Sequence, residues 1–462
     1  MKNLELSKKT VLILGAGKTG ISSAFFLLNK AKKILLSESK DLSKDTEDTI
    51  LLLKKSGVEI EFNQNSDSFL DKSDLVIISP GISPQSEIVK KINLRSIPII
   101  SDIELASYFT NKPTIAITGT NGKTTTTSLI THLINTSGKK AISCGNIGKP
   151  FIEAINEDKG NVDCFVLEIS SFQIYYSPKI SCNIAVCLNI TPDHLDWHIN
   201  FDNYIRTKEK LFLQQDKNAW SVLNYTDNLL KNFKLNTNKF YFSYKKPDKN
   251  TLEAFSNFAF YEDGDLFIKD GNEIHKLINK AELNILGQHN IENSLAASVA
   301  AKIINTDYSS ITKGLKSFKG VEHRLEYVKE TRNKVFYNDS KATNPEATIK
   351  AIEAISEIKN KNITLILGGK DKKTSLDKMI NAIKTHVSEV ILYGEAKERF
   401  QNELNKNSFK KLIIVTDLND ALTTSLKSKT DIVLFSPACA SFDMFKNYEE
   451  RGKTFKDLVN KL

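Results

Sequence analysis

Gly119, Thr120, Asn121, Gly122, Lys123, Thr124 and Thr125 form the segment G-T-N-G-K-T-T, directly after the apolar run T-I-A-I-T (114–118) and before the helix-period run S-L-I-T-H-L-I. A glycine-rich turn between strand and helix offers backbone N–H groups to phosphate. A lysine at its end can meet the β/γ oxygens, and the next threonine can ligate Mg²⁺. The standard spacing G-x-x-x-x-G-K would need a glycine at position 117, where this chain has Ile117, so the turn is a shortened variant and its context carries the argument. A second turn, G-A-G-K-T-G (15–20), lies between V-L-I-L and I-S-S-A-F-F-L-L. Gly15 and Gly17 there would let a phosphate approach a helix N-terminus beside Thr19. Glu38, about 20 residues on at the end of the next strand, stands where a dinucleotide fold keeps its ribose acid. Taken alone, this turn says NAD; which nucleotide it holds is open.

Glu168 closes the apolar strand F-V-L-E-I, read as the next strand after the phosphate turn. Its carboxyl end then faces the nucleotide, where a second Mg²⁺ ligand belongs. N-I-T-P-D-H-L-D-W-H (189–198) crowds two His and two Asp into one turn. Thiols at ligand spacing are absent and the neighbouring chemistry is phosphate, so His194 is read as a ligand of phosphate-bound Mg²⁺ rather than of zinc. Asp196 and His198 are read as caps of the following turn, without a chemical role.

These residues need strands and helices to hold them. Short apolar runs at 11–14, 34–38, 75–79 and 97–101 alternate with helical patterns and predict a parallel, doubly wound sheet. A second segment opens at 114 and continues through strands at 164–169, 183–190, 220–224 and 239–244. It adds a hairpin at 258–269 around Asp263-Gly264 and a long helix at 293–304. A third α/β unit follows, with strands near 334–337, 363–367, 389–393, 411–415 and 431–435. The expected domains are 1–108, 109–308 and 309–462.

The 462 residues suit about three domains. Hydrophobic residues at 40% and charged residues at 26% exclude a disordered chain. Lys+Arg 64 against Asp+Glu 55 leaves +9, spread without a basic tail, which gives nucleic-acid binding no support and keeps anionic small molecules plausible. Five cysteines without a C-x-x-C pair suit reduced thiols. No signal-peptide h-region and no bilayer-length apolar run is present, so a cytoplasmic protein without a membrane partner is expected.

Six motifs occur in order: G-T-N-G-K-T-T, L-E-I-S-S-F-Q, N-I-T-P-D-H-L-D, G-Q-H-N-I-E-N-S-L-A-A, H-R-L-E and N-D-S-K-A-T-N-P. Together they resemble the Mur ligases, ATP-dependent amide-forming enzymes of peptidoglycan precursor synthesis related to the folylpolyglutamate synthases. The likeness covers essentially the whole chain. N-D-S-K-A-T-N (338–344) and S-P-A-C-A-S-F-D-M-F-K-N-Y-E-E-R-G (436–452) resemble the members that add D-glutamate to UDP-N-acetylmuramoyl-L-alanine.

The resemblance implies an α/β protein of three domains: a Rossmann-like N-terminal domain for the UDP-sugar, a central P-loop ATPase domain with a mixed sheet, and a C-terminal Rossmann-like domain for the amino acid. It implies ATP as co-substrate, two Mg²⁺ ions, and a monomer. It reassigns the first turn, with Gly81, from NAD to the diphosphate of a UDP-sugar. Asn290 and Asn293 would contact adenine or ribose, and Arg324 with Asp339 would serve ATP. Lys208 matches the lysine that this family carbamylates, giving metal ligands Thr124, Glu168, His194 and Lys208, where residue type alone reads Lys208 as a solvated helix lysine. Asn146, Ser170 and Gln173 are expected near the muramoyl-alanine substrate. Lys341, Thr343, Ser441, Phe442 and Tyr448 are expected around the incoming glutamate. The family's further lysine falls in G-G-K-D-K-K, where Lys372 is the direct match, flanked by Lys370 and Lys373.

Three alternatives compete. Another ligase of the same superfamily would differ in acceptor or amino acid. An NAD-dependent dehydrogenase would explain Glu38 but leave the second turn and Glu168 without a task. A non-enzymatic nucleotide switch would leave the C-terminal lysines unused.

Overall fold

The computed structural model describes residues 4–42, 46–358 and 360–462. Its strands build three sheets. The first contains β1 (Thr10–Leu14), β2 (Lys33–Glu38), β3 (Glu59–Phe62), β4 (Leu75–Ile78) and β5 (Ile99–Ser101), in the order β3-β2-β1-β4-β5. All four pairings are parallel. The five residues of β1 and the four of β4 are all buried, as strands covered on both faces require.

The second sheet holds β6 (Thr114–Thr118), β7 (Ala141–Gly145), β8 (Cys164–Glu168), β9 (Ile184–Cys187), β10 (Trp220–Asn224), β11 (Asn238–Ser243), β12 (Asn257–Glu262), β13 (Asp265–Asp270) and β14 (Glu273–Asn279). Its order is β14-β13-β12-β11-β10-β9-β6-β8-β7. The β12–β13 hairpin is antiparallel, with Asp263 and Gly264 both at positive φ in the tight turn, so the sheet is mixed as expected. One expectation changes here. β8 is not the next strand in sequence after the phosphate turn, because β7 intervenes. It is the spatial neighbour of β6 all the same, and the parallel register Ile117↔Glu168 brings its carboxyl end beside the turn.

The third sheet holds β15 (Glu326–Thr331), β16 (Lys334–Asn338), β17 (Ile363–Gly368), β18 (Glu389–Tyr393), β19 (Leu412–Ile414) and β20 (Ile432–Phe435), in the order β15-β16-β20-β17-β18-β19. Only its β15–β16 pair is antiparallel among the pairings described.

The chain clusters into two compact units: Met1–Ile278 with Glu292–Leu315, and Asn279–Ile291 with Lys316–Leu462. The first two sheets share the first unit, where one apolar cluster runs from Val11 and Ile77 to Phe165 and Ala185. A polar seam accompanies it. Ser101 Oγ meets Ser177 Oγ at 2.6 Å, and buried Glu104 accepts from Tyr108 Oη (2.7 Å) and Lys179 N (2.8 Å). The long helix runs Gln288–Ile303, five residues earlier in its start than the apolar pattern suggested. Among the described residues, no helix is long and apolar enough to cross a membrane.

Candidate active site

In the first unit, the phosphate turn leaves buried β6 and enters the helix Lys123–Thr136, whose N-cap is Gly122 at φ +89°. A Cβ on Gly122 would stand 2.5 Å from Asn293 Oδ1, so both the backbone conformation and the space demand glycine. Neighbouring segments brace the turn. Asn121 N donates to Asn189 Oδ1 (2.9 Å), Thr120 N donates to Asn189 O (2.9 Å), and Thr120 Oγ1 lies 3.1 Å from Tyr204 Oη. Lys123 Nζ folds back onto the carbonyls of Gly119 and Thr120, at 2.9 Å each. Thr124 and Thr125 are buried in the first helical turn. Thr126 Oγ1 donates to Asn293 Oδ1 (3.1 Å), which places that amide against the turn itself. Asn290 belongs to the second unit, where it is buried with its Nδ2 donating to Leu286 O (2.7 Å).

Glu168 is 3% exposed at the end of β8. Its Oε1 accepts from Asn146 Nδ2 (2.8 Å), while buried Oε2 has no hydrogen-bond partner among the described residues. A carboxylate oxygen in that state is costly unless a cation or solvent completes it. By donor chemistry, a carboxylate oxygen, the hydroxyl expected of Thr124 and the imidazole expected of His194 suit a hard divalent ion such as Mg²⁺. His194 sits at φ +52° with its ring exposed and 4.8 Å from that of Phe172.

Lys208, on the helix Phe201–Leu213, is 1% exposed and so is not a solvated helix lysine. Its Nζ donates to Gly119 O (3.1 Å) and Thr118 Oγ1 (3.3 Å) and lies 4.7 Å from the centre of the Tyr204 ring. Burial, aided by the charge of Lys123, pulls its ammonium down to about 7.

The first glycine turn is built differently. Gly15 has φ +98°, and a Cβ there would collide with Ser79 Oγ. Gly17 is the N-cap of the helix Lys18–Leu27, which carries Thr19 in its first turn. Glu38 Oε2 accepts from Ala16 N (2.8 Å), so the acid that a dinucleotide reading would give to a ribose clips the turn to β2. Lys18 Nζ donates to Gly148 O (2.6 Å), tying the turn to the loop of Asn146. Gly81 is exposed in the turn after β4. Ser170 caps the short helix Ser171–Tyr175 in a reciprocal capping box with Gln173, so both expected substrate residues are held by helix capping.

In the second unit, the N-D-S-K turn leaves β16. Asp339 is buried, accepting from Ser436 Oγ (2.7 Å) and Leu325 N (3.1 Å), and burial raises its carboxyl to about 7. Arg324 Nε is buried without a hydrogen-bond partner among the described residues. Lys341 Nζ lies 5.5 Å from the centre of the Tyr448 ring, with Thr343 two residues on in the same turn. Ser441 is buried, whereas Phe442 is 67% exposed. Lys372 is exposed in the turn after β17.

One reading changes and two buried residues were not singled out from sequence. His198 is not a turn cap. It is buried, its Nε2 2.9 Å from Ser171 Oγ and its ring against Trp197, and burial lowers it to about 4. Arg451 is fully buried, donating to Ser340 Oγ and to the carbonyls of Ser340, Cys439 and Ala440, and so joins the two loops expected to hold glutamate. His323 packs against Gly452 and meets Asn338 Nδ2 at 2.9 Å, which fixes the residue before Asp339 to the residue before Arg324. For His323 and Arg451 the only sequence signal was their place inside the H-R-L-E and E-E-R-G motifs.

Family models match most of the chain: "Mur ligase MurD-like, N-terminal domain" over 9–101, "Mur ligase middle domain" over 117–301 and "Mur ligase, glutamate ligase domain" over 323–439. The chain belongs to the Mur ligase family. Within it, the chain is 39% identical to the UDP-N-acetylmuramoylalanine–D-glutamate ligase of Thermoanaerobacter pseudethanolicus, covering 99% of this chain and 100% of that protein. It is 36% identical to the enzyme of that name from Clostridioides difficile, at 99% and 100% coverage. Among solved structures, the UDP-N-acetylmuramate-alanine ligase MurC of Thermotoga maritima is 19% identical with TM-score 0.59, covering 98% of this chain and 99% of that one. The MurF ligase of Thermotoga maritima in complex with ADP is 16% identical with TM-score 0.59, at 93% and 95% coverage. These two share the fold.

Proposed function

We propose that this chain joins D-glutamate to UDP-N-acetylmuramoyl-L-alanine with hydrolysis of ATP, as a cytoplasmic step of peptidoglycan precursor synthesis. The observation that carries the reading is the braced phosphate turn beside the orphaned Glu168 oxygen and the buried Lys208, in a chain alike along its whole length to D-glutamate ligases. Amide formation from a carboxylate needs an activated leaving group, because O²⁻ does not leave at neutral pH. Transfer of the ATP γ-phosphoryl to the alanyl carboxylate gives an acyl phosphate. The glutamate amine attacks it, and phosphate departs as the amide forms.

Lys123 would neutralise the β/γ oxygens, the N–H groups of 119–125 would hold the phosphates, and Asn290, Asn293, Arg324 and Asp339 would serve the rest of ATP. Gly15, Gly17, Thr19 and Gly81 would receive the UDP diphosphate, with Asn146, Ser170 and Gln173 near the muramoyl-alanine end. Lys341, Thr343, Lys372, Ser441, Phe442 and Tyr448 would receive glutamate. Thr124, Glu168 and His194 would hold Mg²⁺, which when bound screens the anionic oxygens of the reacting groups. This assignment divides the chain functionally at about 108 and 308, and the enzyme is read as a monomer.

Lys208 carries a finer part of the proposal. Its lowered amine is partly uncharged near neutrality and can add CO₂, losing a proton to give a carbamate. That anion would ligate a second Mg²⁺, where an ammonium would oppose it. Lys208→Ala should then be nearly inactive, and short-chain carboxylates such as acetate should partly restore it without restoring Lys123→Ala. Full activity of Lys208→Ala without additive would contradict the carbamate. For the reaction as a whole, ATP-dependent phosphate release is measured with a panel of UDP-muramoyl acceptors and amino acids. Turnover is expected with the alanyl acceptor and D-glutamate, and preference for another pair would overturn the reading.

A further inference from the structure

The turn after β17 reads G-G-K-D-K-K (368–373) and puts three lysines around a single acid. Lys370, Lys372 and Lys373 are exposed, and among the described contacts their ammoniums make no side-chain hydrogen bond or close ion pair, although the charge of Lys373 acts on Asp371. The acid between them is the group best placed to neutralise them, yet it is bound elsewhere. Arg399, on the helix Lys397–Lys406, grips Asp371 with two of the three branches of its guanidinium: Nε to Oδ2 at 2.7 Å and Nη2 to Oδ1 at 2.9 Å. Its third branch, Nη1, donates to Thr374 O (3.2 Å) beyond the lysines. Asp371 Oδ1 also accepts from Lys373 N (2.8 Å).

The same turn is pinned to the loop of Ser441 and Phe442. Lys370 N donates to Ala440 O (2.8 Å), and a Cβ on Gly369 would strike that carbonyl. Ala396 N, just before the Arg399 helix, donates to Gly369 O (3.0 Å). The turn, its acid and the fork that holds the acid are therefore one rigid assembly. A bidentate guanidinium–carboxylate contact is directional and holds better than a lysine pair would.

We propose that the Asp371–Arg399 pair is a positioning device that keeps the turn's one carboxylate off Lys372, leaving that ammonium for the side-chain carboxylate of the incoming amino acid. The inference rests on the D-glutamate reading given above. Arg399 acts through Asp371, and its loss releases an internal competitor for Lys372 rather than removing a contact to substrate.

The test is initial-rate kinetics on the full chain with D-glutamate varied at saturating ATP, Mg²⁺ and UDP-N-acetylmuramoyl-L-alanine. Arg399→Ala should raise KM for D-glutamate about tenfold, with kcat and the KM values of ATP and the UDP-sugar within about twofold. Asp371→Asn, which keeps the acceptor for Lys373 N but carries no charge, should stay within about twofold of the wild type. The double variant Asp371→Asn/Arg399→Ala should recover most of the loss. A pair that merely braces the turn behaves otherwise: Asp371→Asn would be as damaging as Arg399→Ala, and the double variant would be no better than either. That pattern overturns the inference. Should Arg399→Ala fail to fold, Arg399→Lys with and without Asp371→Asn gives the same comparison, since lysine keeps the charge and loses the fork. A wild-type protein that releases no phosphate with D-glutamate overturns the proposed function instead, and a Lys372→Ala variant with unchanged KM for D-glutamate overturns the clamp on Lys372.

Discussion

The two glycine turns of the first unit start from the same plan, a buried strand, glycines at positive φ and a helix beginning at a glycine N-cap, and they end as different sites. At the first, Glu38 is spent on Ala16 N, and Lys18 reaches across to the backbone carbonyl of Gly148. What remains is an exposed helix N-terminus suited to a diphosphate without a metal. At the second, Asn189, Tyr204 and Asn293 brace the turn, Lys123 waits within it, and an orphaned carboxylate oxygen and a buried lysine stand beside it. Glycine spacing sets how closely a phosphate can approach. The ionisable neighbours decide whether that phosphate can be transferred.

The largest expected effect separates the turns by charge. Lys123→Ala should lower ATP turnover by about 10²–10³ or more while leaving thermal melting near the wild type, since its ammonium folds back onto two carbonyls of its own turn. Normal turnover, or loss of the folded state, would break the comparison. Glu168→Gln should come next: activity falls by roughly 10² and the Mg²⁺ concentration for half-activation rises, yet melting does not fall, because the replaced oxygen has no donor to lose among the described residues. An unchanged Mg²⁺ response would make Glu168 structural.

The glycines give smaller, matched effects. Gly122→Ala and Gly15→Ala each force a side chain into a left-handed backbone against a neighbouring atom, and should cost about 1–2 kcal/mol of stability in urea melts. Their kinetic signatures should part, with KM for ATP raised in the first and KM for the UDP-sugar in the second. Gly17→Ala should be the mildest. Its φ is −75° with nothing within 4 Å of a Cβ, so stability should stay within about 0.5 kcal/mol and only the UDP-sugar KM should move.

The sequence made the interior of this fold plain and its margins obscure. β1, β4, β6, β8 and β17, covered on both faces, read directly as apolar runs. The strands that escaped notice were β3 (E-I-E-F), β7 (A-I-S-C-G), β14 (E-I-H-K-L-I-N) and β15 (E-Y-V-K-E-T), and every one of them lies at a sheet edge. An edge strand has one pairing partner and a wet side, so its apolar pattern fades. The same physics divides the site. Phosphate turns are local in sequence and could be read from spacing. Burial is not local: Lys208 reads as a surface lysine, His198 as a turn cap and Arg451 as one charge among many, and only the packing of distant elements takes them out of water. Asp371 and Arg399, 28 positions apart, carry no joint signature in the chain.

The central claim is that the two turns hold two different ligands of one ligase. Calorimetric titration of the wild type, Gly15→Ala and Lys123→Ala with UDP-N-acetylmuramoyl-L-alanine, with a non-hydrolysable ATP analogue plus Mg²⁺, and with NADH tests it directly. Gly15→Ala should lose at least about tenfold in affinity for the UDP-sugar and keep the ATP analogue, Lys123→Ala should do the reverse, and NADH should bind none of the three. Equal loss of both ligands in either variant, or NADH binding that Gly15→Ala abolishes, would contradict the account.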